Sequence, residues 1–213
     1  MYNLPHYKAR SIEEVLDFIQ AHPFATIVGC HAAGEPVATQ LPLLMEEGTA
    51  ELVLVGHFMR NTDHHKAFLQ NNQVLCLFTG ANSYVSATWY ENKQKGSTWN
   101  YMTVHAKGVM EMVDGEALHR IMQQSTLHFE NGNADSPTVY NNLTQEYRDR
   151  LGKAIVGFRI KVTALDTVFK LSQDEPVGRY DNIIQHLIAQ DSHGAAEIAE
   201  QMKSRRASIF GAE

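Results

Sequence analysis

The chain has 213 residues, a net charge of −6, 44% hydrophobic and 20% charged residues, which suits one globular domain, or one with an appendage, and argues against disorder. The acidic balance argues against a protein that grips nucleic-acid phosphates, and no apolar run approaches the roughly 20 residues of a membrane span. Its two cysteines, Cys30 and Cys76, cannot form a disulfide framework and read as buried, reduced thiols; with no signal-like opening segment, the expected compartment is the cytoplasm.

Ser11-Ile12-Glu13-Glu14 is a capping-box signature, and Ile12, Val15, Leu16 and Ile19 recur on one helical face behind it. Pro23 ends that helix. Three strands come next in a meander: 24–30 (FATIVGC), 36–45 (PVATQLPLLM) and 51–58 (ELVLVGHF), joined by turns at Ala33-Gly34 and Glu46-Glu47-Gly48. A polar, helix-compatible stretch covers 62–71. Two further strands are expected at 74–80 and 83–90, linked by Ala81-Asn82, then a polar loop over 91–96 and a long strand over 98–113. Helical patterning runs from Glu116 to Phe129, and 131–144 reads as a loop. Residues 155–162 (IVGFRIKV) alternate as a half-buried strand, and 168–173 (VFKLSQ) extends the sheet or leaves it. Two amphipathic helices close the chain, one from about Pro176 with Val177, Tyr180, Ile184 and Leu187 on a stripe, the other after Ser192.

Short-meander strands with helices before, between and after them indicate an α+β fold, and about seven such strands suit a closed or nearly closed antiparallel barrel. The expected organisation is a barrel domain over 1–175 and a C-terminal helical extension over 176–213, packed on the barrel or on a dimer partner.

No G-x-G-x-x-G, P-loop, C-x-x-C, H-E-x-x-H or G-x-S-x-G motif is present. Eleven histidines raise the question of a metal; His64 and His65 are adjacent and point apart, while His57 and His105 could meet across a sheet. Hydrogen-bonded or surface histidines explain the number more simply, and no metal site is expected. The densest chemistry lies between 83 and 107. In an extended 83–90, Tyr84, Ser86, Thr88 and Tyr90 share one face; in the next strand Trp99, Tyr101, Thr103, His105 and Lys107 do. Such faces suit either a wall for a flat, polar-edged ligand or an aromatic dimer interface. Arg60, Asn61 and Thr62 fall at a helix start, where amides and dipole favour an anion; a plain loop with an exposed arginine is the other reading. Lys203, Arg205 and Arg206 are the one compact basic cluster and read as a solvated helix end.

Taken together, 24–28 (FATIV), 38–43 (ATQLPL), 54–61 (LVGHFMRN), 83–90 (SYVSATWY), 97–108 (STWNYMTVHAKG), 155–162 and 169–173 (FKLSQ) resemble the PaiB-like transcriptional regulators, which carry an FMN-binding domain. The resemblance runs through nearly the whole chain. It implies an antiparallel split β-barrel of the FMN-binding type with flanking helices and a C-terminal helical pair, FMN as cofactor, and a homodimer with flavin at the subunit interface. Gly56, His57, Arg60 and Asn61 would lie at the phosphate end; Ser86, Thr88, Trp89 and Tyr90 in the aromatic motif; Thr98, Trp99, Asn100, Tyr101 and His105 in the second wall; Lys170, Ser172 and Gln173 in the C-terminal motif. The implied function is negative transcriptional regulation through a ligand or partner, with no tight DNA binding by the isolated protein and no membrane. The alternative is a flavin-dependent oxidoreductase: an NAD(P)H:flavin reductase or a pyridoxamine-phosphate-oxidase-like enzyme. No catalytic side chain is assigned.

Overall fold

A computed structural model describes residues 1–92 and 94–211. Lys93, in the loop expected over 91–96, and the last two residues of the expected C-terminal extension lie outside the described residues. Seven strands form one sheet: β1 (Phe24–Cys30), β2 (Pro36–Pro42), β3 (Leu44–Met45), β4 (Val53–Met59), β5 (Gln73–Val85), β6 (Thr98–Val113) and β7 (Ile155–Lys170), in the order β2-β1-β5-β6-β7-β4-β3. Among the described residues six α-helices accompany these strands: α1 (Ile12–Ala21), α2 (Asp63–Gln70), α3 (Gly115–Phe129), α4 (Gln145–Ala154), α5 (Val177–Ile188) and α6 (His193–Phe210). The α+β class is as the sequence indicated.

The chain divides into two compact units. One comprises Met1–Ile19, Thr79–Val104 and Asp166–Glu213; the other comprises Gln20–Phe78 and His105–Leu165. Strands β5, β6 and β7 have residues in both.

In the second unit β1 pairs with β2 from Phe24↔Pro42 to Cys30↔Pro36, and β4 with β7 from Val53↔Lys161 to Met59↔Ile155. The strand order leaves β2 and β4 far apart, yet the two meet. A Cβ on Gly56 would lie 3.0 Å from the Pro42 carbonyl oxygen and 2.7 Å from Phe158. The sheet thus curls toward closure, and a side chain at 56 would block it. Strand β4 is buried on both faces over Val53–Gly56. Leu44, Val53 and Val55 pack on Ile121 of α3, while Phe58 stacks on Phe158 with centroids 5.0 Å apart. Each such full burial contributes about 1.5–3 kcal/mol.

In the first unit α5 and α6 pair through Tyr180, whose hydroxyl donates to the Met202 carbonyl at 2.8 Å. Ala195 and Ala199 are fully buried and let the helices approach. Tyr180, Ile184 and Leu187 form the expected stripe with Ile183; Val177, at the first position of the helix, is exposed.

Four local expectations need correction. Ala81-Asn82 does not separate two strands; β5 runs through it. The segment after Val85 is not extended: Ala87–Trp89 forms a 3-10 turn, because the Ser86 hydroxyl accepts from the Thr88 N–H at 3.2 Å and offers the backbone a local partner. Tyr84, Ser86, Thr88 and Tyr90 therefore do not share a face. Residues 36–45 are not one strand but two, Pro36–Pro42 and Leu44–Met45, whereas 155–170 form one strand, so the 168–173 segment extends the sheet as far as Lys170. The basic cluster is not a solvated helix end: Arg205 is 3% exposed and pairs with Glu14, and Arg206 makes two hydrogen bonds to Asp181. Helix α4, capped by Thr144 accepting from the Tyr147 N–H, falls between the expected elements.

Candidate functional site

Eleven of the fifteen candidate residues lie in the first unit. At the start of β6 Trp99 is exposed and Tyr101 partly exposed, while Asn100 is fully buried; Thr103, expected on the Trp99 face, is buried as well. Trp99 is 53% exposed and Tyr84 of β5 is 44% exposed, and their rings meet edge to face with centroids 5.8 Å apart. Large aromatics normally hide at least one face; this pair presents an apolar wall to whatever lies outside. Burial raises the Tyr101 phenol, which stays protonated at neutral pH. The Ser86 and Thr88 hydroxyls lie 2.8 Å apart, and the Ala87 N–H donates to Ser97 Oγ at 3.0 Å.

Trp89 and Tyr90 are held from α5. The Trp89 ring stacks on His186, with centroids 4.9 Å apart and planes 9° apart, and the Asn182 amide donates to the Trp89 carbonyl. Tyr90 is buried beneath the Arg179 guanidinium, 5.1 Å from the ring centroid. Burial raises its phenol.

Four of the remaining candidates, Thr98, Asn100, Lys170 and Ser172, bind one another. The Lys170 ammonium donates to Thr98 Oγ1 and, at 2.9 Å, to the Trp99 carbonyl. Asn100 Nδ2 donates to Ser172 Oγ at 3.0 Å, and that hydroxyl and Asn100 Oδ1 lie 3.1 Å apart. Gln173 folds back on the strand end, donating to the Phe169 carbonyl and accepting from the Leu171 N–H. Lys170 and Ser172 thus clamp Thr98 and Asn100 on the strand that carries Trp99.

In the second unit His57 sits opposite Gly157, and burial lowers its imidazole, so it is neutral at pH 7. The helix start at Arg60–Thr62 differs from an open anion site. The His64 N–H donates to Asp63 Oδ1 at 2.7 Å, the His65 N–H to Thr62 Oγ1 at 3.3 Å, and the Asn61 N–H to His65 Nδ1 at 3.0 Å. Asn61 itself has φ 65°. The amides are satisfied by the chain's own side chains. Arg60 pairs with Asp114. Burial, then the Arg60 and His64 charges, lowers His65, which fits its role as an unprotonated acceptor. His105 lies half-buried on β6. Among the described residues no group of three or more His, Cys, Asp or Glu side chains could hold a metal, and no helix is long and apolar enough to cross a membrane.

The family described as "Putative FMN-binding domain" matches residues 1–164. The protease synthase and sporulation protein PAI 2 of Bacillus subtilis (strain 168) is 30% identical over 205 residues, 96% of this chain and 98% of that protein. The chain belongs to the PaiB-like, FMN-binding-domain family. Its cofactor class is accordingly a flavin, FMN.

Solved structures place this PaiB-like chain among the split barrels. A conserved hypothetical protein of Mycobacterium tuberculosis, Rv2991, superposes with a TM-score of 0.59 at 18% identity, covering 83% of this chain and 94% of that one. The FAD and heme binding protein of Mycobacterium smegmatis superposes with a TM-score of 0.58 at 16% identity, covering 77% and 73%. The residues present fit the ring of a flavin: an exposed tryptophan–tyrosine wall offers π faces, and the Ser86 and Thr88 hydroxyls offer polar partners for a heteroaromatic edge. For a phosphate the fit is narrower, since the α2 amides are taken and the Arg60 guanidinium is shared with Asp114.

Proposed function

We propose that this PaiB-like protein is a flavin-dependent negative regulator, a homodimer that binds FMN against the Tyr84–Trp99 wall and acts on transcription through its ligand state or a partner protein. The observation that carries this reading is the exposed Tyr84–Trp99 pair in a chain of the FMN-binding-domain family. Two further points support it. The Bacillus subtilis relative is named for protease synthesis and sporulation. The one compact basic cluster is engaged internally, Lys203 with Glu200, Arg205 with Glu14 and Arg206 with Asp181, which favours action without a direct grip on DNA.

Tyr84 and Trp99 would hold the flavin ring by stacking, and Ser86 and Thr88 would orient its polar edge. Flavin, when bound, supplies hydride and single-electron transfer. The half-exposed wall leaves room for a second molecule against the ligand, and that favours a flavin-dependent oxidoreductase as the second reading.

The deciding experiment is the visible spectrum of the purified protein, followed by titration with FMN and riboflavin read by flavin fluorescence quenching. Micromolar or tighter FMN binding that falls in Trp99→Ala supports the reading. Absence of binding to either flavin rejects it. Turnover of NADH or NADPH by the loaded protein would move the assignment to the oxidoreductase. Sedimentation equilibrium at 23.9 kDa would reject the homodimer.

A further inference from the structure

The residues matched by the FMN-binding-domain family end at 164, yet the aromatic segments are held from behind by side chains C-terminal to that point. Lys170 ends β7 and is only 8% exposed, with its ammonium 5.8 Å from the Tyr7 ring centroid. An ammonium so placed needs hydrogen-bond acceptors, and it finds them in Thr98 Oγ1 and the Trp99 carbonyl. Ser172 has φ 60°, a left-handed conformation that costs a non-glycine residue. The doubled contact between its hydroxyl and the Asn100 carboxamide holds it there. Asn100 Nδ2 also lies 3.5 Å from Met202 Sδ on α6. From α5, His186 backs the face of Trp89 and Asn182 holds its carbonyl.

Strand geometry makes this grip consequential. Side chains alternate, so an Asn100 locked inward forces Trp99 outward, and a slip of one residue would exchange them.

We propose that residues 166–211 are the positioning layer of the aromatic wall, with Lys170 and Ser172 as positioning residues for Trp99 and His186 as the positioning residue for Trp89. The wall's use as a flavin site rests on the function proposed above; the positioning itself is read without flavin. The layer works by register and orientation. Lys170, Ser172 and Asn100 set which face of β6 carries the indole, and His186 sets the plane of Trp89. Neither group need touch the ligand, because each acts through a tryptophan or its backbone.

The chain has two tryptophans, which allows each to be read alone. Trp89→Phe leaves Trp99, and Trp99→Phe leaves Trp89. In the flavin-free, folded full-length protein, Lys170→Met should alter acrylamide quenching and anisotropy of Trp99 and leave Trp89 unchanged. His186→Ala should do the reverse. Lys170→Arg should restore the Trp99 signal, because it returns a cationic donor. In the two-tryptophan protein, Lys170→Met should weaken FMN and riboflavin equally, by about tenfold, because the wall is displaced and no phosphate contact is lost. A circular-dichroism urea titration defines the conditions under which each variant is folded. If Lys170→Met lowers stability while Trp99 quenching in the folded state matches the parent, the segment is only a structural support and the proposal fails. If the parent binds no flavin but the crossed tryptophan pattern appears, the positioning stands and the flavin assignment falls.

Discussion

Arg205 Nη2 donates to Glu14 Oε1 at 2.6 Å, joining the last helix to the first. The guanidinium lies 5.2 Å from the Phe169 ring centroid, and Arg10 shares the same carboxylate. Burial raises the Glu14 carboxyl, but the Arg10 N–H, the Arg10 guanidinium and the Arg205 charge outweigh it, and the net shift is downward. Removing one partner leaves the other charged and poorly hydrated. Glu14→Ala or Arg205→Ala should cost about 3–5 kcal/mol in urea unfolding, with Arg205→Met milder because it keeps the contact with Phe169. A depressed carboxyl contributes stability above its ordinary value of 4.5 and loses it as pH falls through the lowered value. The wild type should therefore lose stability in acid more steeply than Glu14→Gln. Parallel acid curves would reject the pair as the cause.

The two thiols should differ in reactivity. Cys76 is fully buried, and burial pushes its thiol up to about 12 from 9.0; Cys30 is partly exposed, beside the Asn71 amide at 3.1 Å. A disulfide-exchange reagent at pH 8 should titrate Cys30 in the native protein and Cys76 only after denaturation. A raised thiol adds stability that is complete below 9.0 and is lost as pH rises through 12. Rapid native labelling of both cysteines would contradict this placement.

Asp114 competes with any anion for Arg60. The pair is partly exposed, with side chains 28% and 59% accessible, so its own contribution is about 0–1 kcal/mol. Arg60→Ala should weaken FMN by about tenfold and leave riboflavin unchanged, if the guanidinium meets the phosphate. Asp114→Asn should then tighten FMN a few-fold and leave riboflavin unchanged. Equal losses for both flavins in Arg60→Ala would make Arg60 a structural residue.

The sequence showed this architecture most clearly where one apolar face was both regular and local. Strand β1 and the long β6 fall where their strand-forming runs placed them, the start of β7 where alternation did, and α3 where its helical pattern did. Helix α4 was invisible because it has no buried residue and hence no stripe. The 3-10 turn at Ala87–Trp89 was hidden because a single Ser86 hydroxyl decides it against good strand formers. The basic cluster misled because the partner of Arg205 stands 191 residues away. The site was legible as a set of motifs but not as roles. Nothing local in Lys170 or Ser172 says that each grips the Thr98–Asn100 segment, since those contacts arise only when β7 and β6 lie together.

Gly108, the one glycine of β6, should resist replacement. A Cβ there would lie 2.6 Å from the Lys161 carbonyl oxygen and 2.6 Å from Ile160 Cγ2. Backbone cannot yield cheaply, so Gly108→Ala should cost about 1–3 kcal/mol. Gly152→Ala, in open space within α4, should be neutral or stabilising by comparison. Similar urea midpoints for the two variants would contradict the close approach.

The unit that carries Tyr84 and Trp99 is assembled from three stretches of chain, Met1–Ile19, Thr79–Val104 and Asp166–Glu213, whereas the other unit needs nothing beyond Leu165. During synthesis the ribosome therefore completes the second unit's sequence first. The opening helix, although made earliest, must wait for the final helix before Glu14 meets Arg205. Until then Asn100 lacks Met202, and until the end of β7 and Ser172 have been made Asn100 lacks Ser172 and Phe18 lacks Phe169. A nascent chain stalled before α6 would hold exposed apolar surface at both of its ends, a natural substrate for chaperones, and the aromatic wall would be the last part of the protein to take shape.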